Sequence, residues 1–140
     1  MASIGRALAA LLFMTMLACP PLARAAELIM FHDVHCVWCA RFDAEIGPIY
    51  AKTKEGQRAP LRRLDVAKPV PPELAFIDAE RFTPVFVLID NGREIGRIRG
   101  YPGDTFFWGL LAGLIERLDR GESAPPEPAA APPPGATFGE

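Results

Sequence analysis

Short apolar runs separated by polar turns dominate the first half of the chain. Residues 28–31 form a continuous apolar run, which is typical of a buried strand. A helical pattern of apolar positions follows over residues 36–54, and Gly47-Pro48 is expected to bend or break it, because proline offers no N–H. Residues 61–66 are a second strand candidate. The order strand, helix, strand favours a parallel pair of strands.

The second half of the chain predicts a hairpin between two helices. Pro72 is placed to begin a short helix over residues 73–80. Two β-rich runs, residues 85–89 and 94–99, flank Asn91-Gly92, which is a strong signal for a tight hairpin. Apolar positions alternate imperfectly in the second run, which indicates an edge strand.

A final helix is predicted from Asp104, which is expected to cap it, to near Gly121. The complete order is β-α-β-α-β-β-α, so the predicted fold class is α/β, a four-stranded mixed sheet with helices on both faces. The apolar face of the last helix comprises Phe107, Leu110, Leu111, Leu114, Ile115 and Leu118.

The beginning of the chain has the pattern of a secretory signal peptide. An apolar stretch at residues 7–18 follows Arg6, and two prolines and the small-residue sequence Ala23-Arg24-Ala25 come after it. The stretch is shorter than the roughly 20 residues that a spanning helix needs. We expect cleavage near Ala25, export to the periplasm and removal of Cys19. A buried N-terminal helix and a lipid-modified Cys19 are the alternatives.

The net charge excludes one class of function, and the composition of the two ends separates them from the domain between them. The net charge is −2, and loss of residues 1–25, which carry two arginines and no acid, makes it −4. This acidity excludes the clustered basic face of a nucleic-acid-binding protein. Residues 121–140, mostly Pro, Ala, Gly and Glu, are expected to be a disordered tail because they have little to bury. One domain, residues 26–120, remains between signal peptide and tail, and a monomer is expected.

The clearest chemical signal is Cys36-Val37-Trp38-Cys39, where the first strand gives way to a helix. Unpaired N–H groups and the positive end of the helix dipole surround a thiol at a helix N-terminus and stabilise its thiolate. Cys36 is therefore predicted to be the nucleophile in disulfide exchange, and Cys39, one turn later, to resolve the mixed disulfide. His35, if protonated, is a candidate for lowering the pKa of Cys36 further; the alternative is an exposed turn residue.

Three other interpretations apply to the same cysteines. A structural disulfide is common in exported proteins, but so short a loop constrains the unfolded chain little. Haem attachment requires His directly after the second cysteine, where Ala40 stands. A zinc or copper site has four candidate ligands, although zinc sites usually draw on two separated pairs. Those ligands are His32, His35, Cys36 and Cys39. The redox interpretation, with no metal and no cofactor, is favoured.

The sequence resembles the thioredoxin superfamily over nearly all of residues 27–120. The matching features are C-V-W-C at 36–39, F-T-P at 82–84, the strand-turn-strand sequence at 85–98, Gly100 and the closing helix. Proline is tolerated at the first residue of a strand, so Thr83-Pro84 alone is compatible with a trans turn proline. The resemblance implies instead a cis-proline packed against the Cys-x-x-Cys turn, with the Thr83 backbone free to pair with an extended substrate segment.

Residues 40–50 and 106–111 resemble more narrowly the small periplasmic thioredoxins encoded with bacterial sulfur-oxidation (Sox) systems. That resemblance implies a reductase that keeps the substrate-bearing cysteine of the Sox carrier protein reduced. Its electrons are then expected to come from a membrane thiol transporter.

The sequence also departs from typical thioredoxins around the cysteines. His35 and Val37-Trp38 stand where those proteins have Trp and Gly-Pro, and Met30 occupies the place of a buried Asp that relays protons. Proton transfer is therefore expected to depend on His32, on Asp33 or on water. The N-terminal strand and helix that precede the active-site strand in thioredoxin are expected to have no counterpart here.

We therefore interpret the chain as a periplasmic thiol-disulfide oxidoreductase that acts on a protein disulfide. Pro84 and Thr83 are expected to shape the substrate groove, and Trp38 to cap the site as an apolar contact. A disulfide oxidant or isomerase is the alternative within the class, because the sequence does not give the reduction potential. Outside it, the alternatives are a metal chaperone and a silent interaction module that docks a partner through Phe106 and Trp108, two aromatic residues otherwise expected in the core.

Overall fold

The computed structural model describes residues 25–80 and 82–124. Apart from Ala25, the predicted signal peptide lies outside these residues, and so does the predicted tail beyond Ala124. The division of the chain into 1–25, 26–120 and 121–140 therefore stays a prediction. Among the described residues, no helix combines the length and the apolar character needed to cross a bilayer.

Strands and helices alternate along the described part of the chain in the predicted manner. The strands are β1 (Glu27–His32), β2 (Leu61–Asp65), β3 (Val85–Asp90) and β4 (Arg93–Arg99). The helices are α1 (Val37–Glu45), α2 (Gly47–Tyr50), α3 (Lys54–Arg58) and α4 (Asp104–Asp119), and a 3-10 helix, Pro72–Leu74, lies between β2 and β3. The α/β class is confirmed.

Strand β1 lies in the interior of a four-stranded mixed sheet with the order β2-β1-β3-β4. It pairs in parallel with β2 and antiparallel with β3, which pairs antiparallel with β4. Successive side chains of a strand point to opposite faces, so a strand covered on both faces must be apolar throughout. The run 28–31 meets that requirement, since all its residues are buried. The predicted parallel pair and the edge position of β4 are confirmed.

One face of the sheet carries α1 and α4 and holds the larger part of the core. Phe42 of α1 contacts Phe86 of β3 and Phe107 of α4, with ring centroids 4.7 Å and 5.1 Å apart. Leu28 and Met30 of β1 belong to the same cluster. Full burial of one such side chain stabilises the fold by about 1.5–3 kcal/mol, so this cluster fixes both helices on the sheet.

The opposite face is covered by the connection between β2 and β3. Leu74 of the 3-10 helix and Ile77 are buried there against Ile29 and Phe31. Helical residues therefore lie on both faces, as predicted, but the expected helix at 73–80 is wrong beyond its first turn.

Long-range contacts with β4 hold residues 78–80 outside a helix. The Asp78 carbonyl oxygen accepts a hydrogen bond from Arg97 of β4 at 3.1 Å, and the Glu80 carboxylate binds Arg97 and Arg99. The carbonyl and the carboxylate are thus directed toward the edge strand instead of toward another helical turn. Such long-range contacts cannot be read from local propensity.

The predicted helix over residues 36–54 divides at Gly47-Pro48, as the proline indicated. Helix α1 ends at Glu45, and Pro48 lies in the first turn of α2, where a missing N–H costs nothing. Thr53 then caps α3 by accepting the N–H of Gly56 at 3.0 Å. The break is confirmed, and a single helix reaching residue 54 is not formed.

The β3–β4 hairpin turns at Asn91-Gly92, whose φ angles of 49° and 73° are both left-handed, as in a two-residue type I′ turn. The register of the pair shifts by one residue near the turn, which leaves Ile95 as an extra residue of β4. This bulge brings Ile95 and Ile98 into the same core cluster and explains their imperfect alternation in sequence.

Helix α4 ends as predicted and begins one residue earlier than a cap at Asp104 implies. Gly103, with a φ of 95°, occupies the capping position, and Asp104 is the first helical residue. The predicted cap at Asp104 is therefore wrong by one position. At the other end, Gly121 has a φ of 71°, which is typical of the residue that follows a helix. Leu110, assigned to the apolar face, is exposed.

We expect Gly56→Ala to destabilise the fold by about 2–3 kcal/mol, because a small-to-large change in a packed contact is poorly tolerated. A Cβ at Gly56 would stand 1.9 Å from the Tyr50 carbonyl oxygen, which is backbone and cannot rotate away. Gly109→Ala is the matched control: its Cβ meets nothing within 4 Å, so a gain of about 0.5–1 kcal/mol is expected from helix propensity. Urea unfolding of the oxidised proteins measures both effects, and equal stabilities of the two variants would contradict the prediction.

Candidate redox site

The turn between β1 and α1 places Cys36 directly before the first residue of the helix. The Asp33 carboxylate accepts the N–H of His35 at 2.7 Å, and the Asp33 carbonyl oxygen accepts the N–H of Cys36 at 3.1 Å. A short acidic side chain that bonds the backbone two residues later is a common way of forming a turn. Asp33 therefore shapes the turn, and His35 is exposed on it.

Cys36 and Cys39 form a disulfide whose Cα atoms are 5.2 Å apart, so the structure describes the oxidised protein. Cys36 is the N-cap residue of α1, and its Sγ accepts the N–H of Cys39 at 3.0 Å. The first N–H groups of a helix have no partner within it, and here one of them is directed at sulfur. Cys39 is buried in the core, whereas Cys36 is partly exposed.

The peptide bond between Thr83 and Pro84 is cis. This confirms the bond geometry that the family resemblance implied and excludes the trans turn proline. Pro84 is buried, and its carbonyl oxygen accepts the N–H of Gly100 at 2.8 Å, which joins the start of β3 to the residue after β4. The main chain of Thr83 makes no hydrogen bond to another residue within 25–80 and 82–124.

A groove of about 300 Å³ opens beside the disulfide. It brings together four of the predicted site residues and two residues that were not predicted to belong to the site. The four are Asp33, His35, Cys36 and Thr83; the two are Val66 and Phe82. Both added residues are exposed apolar side chains. Phe82 could have been predicted from the sequence, since an aromatic residue directly before Thr83-Pro84 is placed to flank the site. Val66 was predicted only as the last residue of a strand.

Four of the predicted site residues are not among those that line this groove: Cys39 and Pro84, which are buried, and His32 and Trp38. His32, at the end of β1, lines a neighbouring cavity of about 610 Å³ that shares Val66 with the groove. The Trp38 side chain is 52% exposed, and the Arg41 guanidinium lies 5.8 Å from its ring centroid. The expected apolar contact between Trp38 and a substrate stays a prediction.

Typical thioredoxins have a buried, proton-relaying Asp at the position that Met30 occupies in this chain. Met30 is fully buried within the core cluster. No Asp, Glu or His is buried in the described part of the chain. Nor does that part contain a group of three or more His, Cys, Asp or Glu residues arranged to hold a metal ion.

The two aromatic residues considered for partner docking have different environments. Phe106 is exposed, so its expected place in the core is wrong. Trp108 is partly buried and stacks on Tyr50, with ring centroids 6.0 Å apart and an interplanar angle of 11°. Trp108 therefore contributes to packing between α4 and α2.

A hydrogen-bonded group ties α1 to the segment after β4. The Tyr101 hydroxyl donates to Glu45 at 2.6 Å, and Arg41 Nε donates to the same carboxylate at 2.8 Å. The hydrogen bond from Tyr101, and then that from Arg41, lowers the pKa of Glu45 below its ordinary value. Burial, followed by the contact with Glu45, raises the pKa of Tyr101, so its hydroxyl stays protonated and can donate.

A search of the solved structures finds known thioredoxins. The chain is similar to the periplasmic thioredoxin SoxS from Paracoccus pantotrophus (reduced form), with 47% identity and a TM-score of 0.62 over 66% of this chain and 98% of that one. It is also similar to a thioredoxin from Malassezia sympodialis, with 22% identity and a TM-score of 0.49 over 65% of this chain and 76% of that one. Neither a scan against protein-family models nor a search of curated proteins gives a match.

A cysteine pair at the start of a helix, next to a cis-proline on this sheet, defines the class of thioredoxin-fold oxidoreductases. The chain belongs to the thioredoxin family, because it matches nearly the full length of a solved periplasmic thioredoxin at 47% identity. It is a thiol-disulfide oxidoreductase. The predicted family, its Sox branch and the activity class are thereby confirmed.

We expect Tyr101→Phe to raise the pKa of Glu45 toward its ordinary value, because the variant loses the hydrogen bond that lowers it most. A carboxyl whose folded-state pKa is depressed stabilises the fold at neutral pH, and this stabilisation is lost as the pH falls through the folded-state pKa. The variant should therefore be less stable than the wild type at neutral pH, and the difference should shrink on acidification. Carboxyl NMR titration and urea unfolding at several pH values measure these effects.

Tyr50→Phe provides the control for this experiment. The Tyr50 hydroxyl donates to the Ala59 carbonyl oxygen at 2.8 Å and does not contact Glu45. The titration of Glu45 should be the same in this variant as in the wild type. An unchanged Glu45 titration in Tyr101→Phe would contradict the assignment.

Proposed function

We propose that the protein is a periplasmic reductase of protein disulfides, with Cys36 as the nucleophile and Cys39 as the resolving thiol. The observation that carries the proposal is the Cys39 N–H directed at Cys36 Sγ across the first turn of α1. In the reduced protein, a donor in this position stabilises a thiolate on Cys36. The different exposure of the two sulfur-bearing residues supports the assignment, since Cys36 is the one that a substrate can approach.

The reaction then has two steps. The Cys36 thiolate attacks one sulfur of the substrate disulfide, forms a mixed disulfide, and releases the other substrate sulfur as a thiolate that takes a proton from water. Cys39 next loses its proton to water, and its thiolate attacks Cys36 Sγ. This attack breaks the mixed disulfide and releases the second substrate sulfur as a thiolate, which takes a proton from water. Two electrons pass to the substrate, and the protein is left with the Cys36–Cys39 disulfide of the present structure.

The groove beside Cys36 suits an extended segment of a protein substrate. Thr83 lines it, and the main chain of Thr83 makes no hydrogen bond to a described residue, so its N–H and C=O are available for strand-like pairing. Val66 and Phe82 offer apolar contact on the same groove. Trp38, half exposed on the first turn of α1, adds an apolar surface for the substrate protein next to the reactive sulfur.

The similarity to a periplasmic Sox thioredoxin supports both the compartment and the kind of substrate. Together with the signal-peptide pattern at residues 1–25, it supports export to the periplasm. We infer that the physiological substrate is a disulfide or mixed disulfide on the Sox carrier protein. A membrane thiol transporter is the proposed source of the electrons that reduce Cys36–Cys39 again.

Cys39→Ser should trap a mixed disulfide between Cys36 and the physiological partner, because the resolving thiolate is missing. Cys36→Ser should abolish insulin reduction, since the attacking thiolate is lost. Mass spectrometry of the adduct captured from periplasmic extract identifies the partner. The double variant is the control and should capture nothing. Capture by Cys36→Ser and not by Cys39→Ser would show that the two roles are exchanged.

The reduction potential of the Cys36–Cys39 disulfide tests the direction of electron transfer. Proteins of this fold span reduction potentials from about −270 mV for reductases to about −120 mV for strong oxidants. We expect a value near the reducing end, measured by equilibration with glutathione or dithiothreitol buffers. A potential near the oxidising end would assign the protein to disulfide formation instead.

A further inference from the structure

The connection that leads to the cis-proline is tied to the edge strand by a compact group of ion pairs. Arg97 Nη1 lies 2.6 Å from Glu80 Oε1 and also donates to the Asp78 carbonyl oxygen at 3.1 Å. Arg99 Nε binds both oxygens of the same carboxylate, at 2.8 and 3.0 Å. Arg97 is itself oriented by Glu94 of its own strand. Two arginines of β4 thus hold a single carboxylate of the connection.

The contact between Glu80 and Arg97 is more sheltered than most ion pairs within the described residues, whereas the Arg99 side chain is 45% exposed. The side chains of Glu80 and Arg97 are 15% and 10% exposed, compared with 57% and 44% for the Asp119–Arg58 pair. Exposed pairs are screened and contribute little, whereas breaking a sheltered pair leaves a charge without compensation. Burial alone would raise the pKa of Glu80, but the hydrogen bonds from Arg99 and Arg97 outweigh it, so the carboxylate is charged at neutral pH.

The ion pairs of Glu80 lie close in sequence to the residues that line the groove. Glu80 lies shortly before Phe82 and Thr83, which line the groove beside Cys36. On the far side of Thr83, the Pro84 carbonyl oxygen is bonded to the N–H of Gly100. The loop 82–84 is therefore fastened at both ends to the same end of β4, by ion pairs before Thr83 and by a backbone hydrogen bond after it.

We propose that Glu80 is a positioning residue for substrate binding: held by Arg97 and Arg99, it sets the loop 82–84 where the Thr83 main chain can pair with a substrate segment. This inference rests on the proposed function, because it requires the Thr83 backbone to meet the substrate. Glu80 acts through Thr83 and is not among the residues that line the groove. It should therefore matter for a protein disulfide, which must lie along the loop, and not for a small disulfide that only has to reach Cys36.

The experiment compares Glu80→Ala and Glu80→Gln on two disulfides, insulin and dithiobis(nitrobenzoate). We expect Glu80→Ala to lower the rate constant for insulin reduction on the order of tenfold and to leave the rate with the small disulfide within about twofold of wild type. Glu80→Gln should retain most of the insulin activity, because its amide oxygen still accepts hydrogen bonds from the guanidinium groups. Asp119→Asn breaks the exposed pair with Arg58 and should change neither rate.

Two kinetic results would overturn the proposal: wild-type rates in Glu80→Ala, or an equal loss with both disulfides, which would indicate a general distortion of the site. Should Glu80→Ala fail to fold, Glu80→Gln must still show a selective loss, however small, for insulin. A wild-type protein that reduces neither disulfide would refute the proposed function, and the positioning role is then decided by amide hydrogen exchange. Amide exchange should be faster in Glu80→Ala over residues 78–84 and unchanged over α1. Unchanged exchange over both segments would reject the positioning role of Glu80.

Discussion

The packing of Phe42 against the sheet and α4 is the contact on which the rest of the structure depends. Helix α1 has nine residues, too few to be stable alone in water, so it exists because its buried face is packed. Phe42 supplies that face through Phe86 and Phe107. Where α1 begins, and hence where Cys36 lies, follows from this packing.

The same helix also makes the two cysteines different. Cys39, Phe42 and Ile46 are all buried and follow one another at intervals of three and four residues, so Cys39 shares the core-facing side of α1. Cys36 is placed before the first helical turn, at the edge of the sheet, and stays partly exposed. One sulfur is therefore accessible and the other protected, although both residues have the same side chain.

Local patterns predicted the elements whose residues interact mainly with their neighbours in sequence. The apolar run of β1, the Asn91-Gly92 turn and the break at Pro48 each follow from backbone chemistry within a few residues. The cysteine site could be predicted for the same reason, because its spacing and its position between strand and helix are local. The cis geometry of Pro84 came from family resemblance, since the residues alone were also compatible with a trans bond.

The predictions that were wrong or incomplete have a different cause. The helix expected at 73–80 gives way to hydrogen bonds and ion pairs with Arg97, which lies far along the chain. Val66 joins the site because β2 is parallel to β1, so that both strands end at the same edge of the sheet. Phe106 was expected in the core, yet its neighbour Phe107 takes the buried position on α4. Each of these outcomes depends on how distant elements meet, which no single segment encodes.

The two halves of the site depend on different physical interactions, and this separates reactivity from recognition. In the proposed function, reactivity comes from the unpaired backbone N–H groups of a helix terminus, which are present whatever side chains α1 carries, as long as the helix stays packed. In the same proposal, recognition depends on the loop 82–84, which contains a cis peptide bond and is held by a backbone hydrogen bond to Gly100 and by the carboxylate of Glu80. Substitutions around Glu80 can therefore change which proteins are reduced while the chemistry at Cys36 stays the same. A family that keeps its cysteine pair can in this way serve many different substrates.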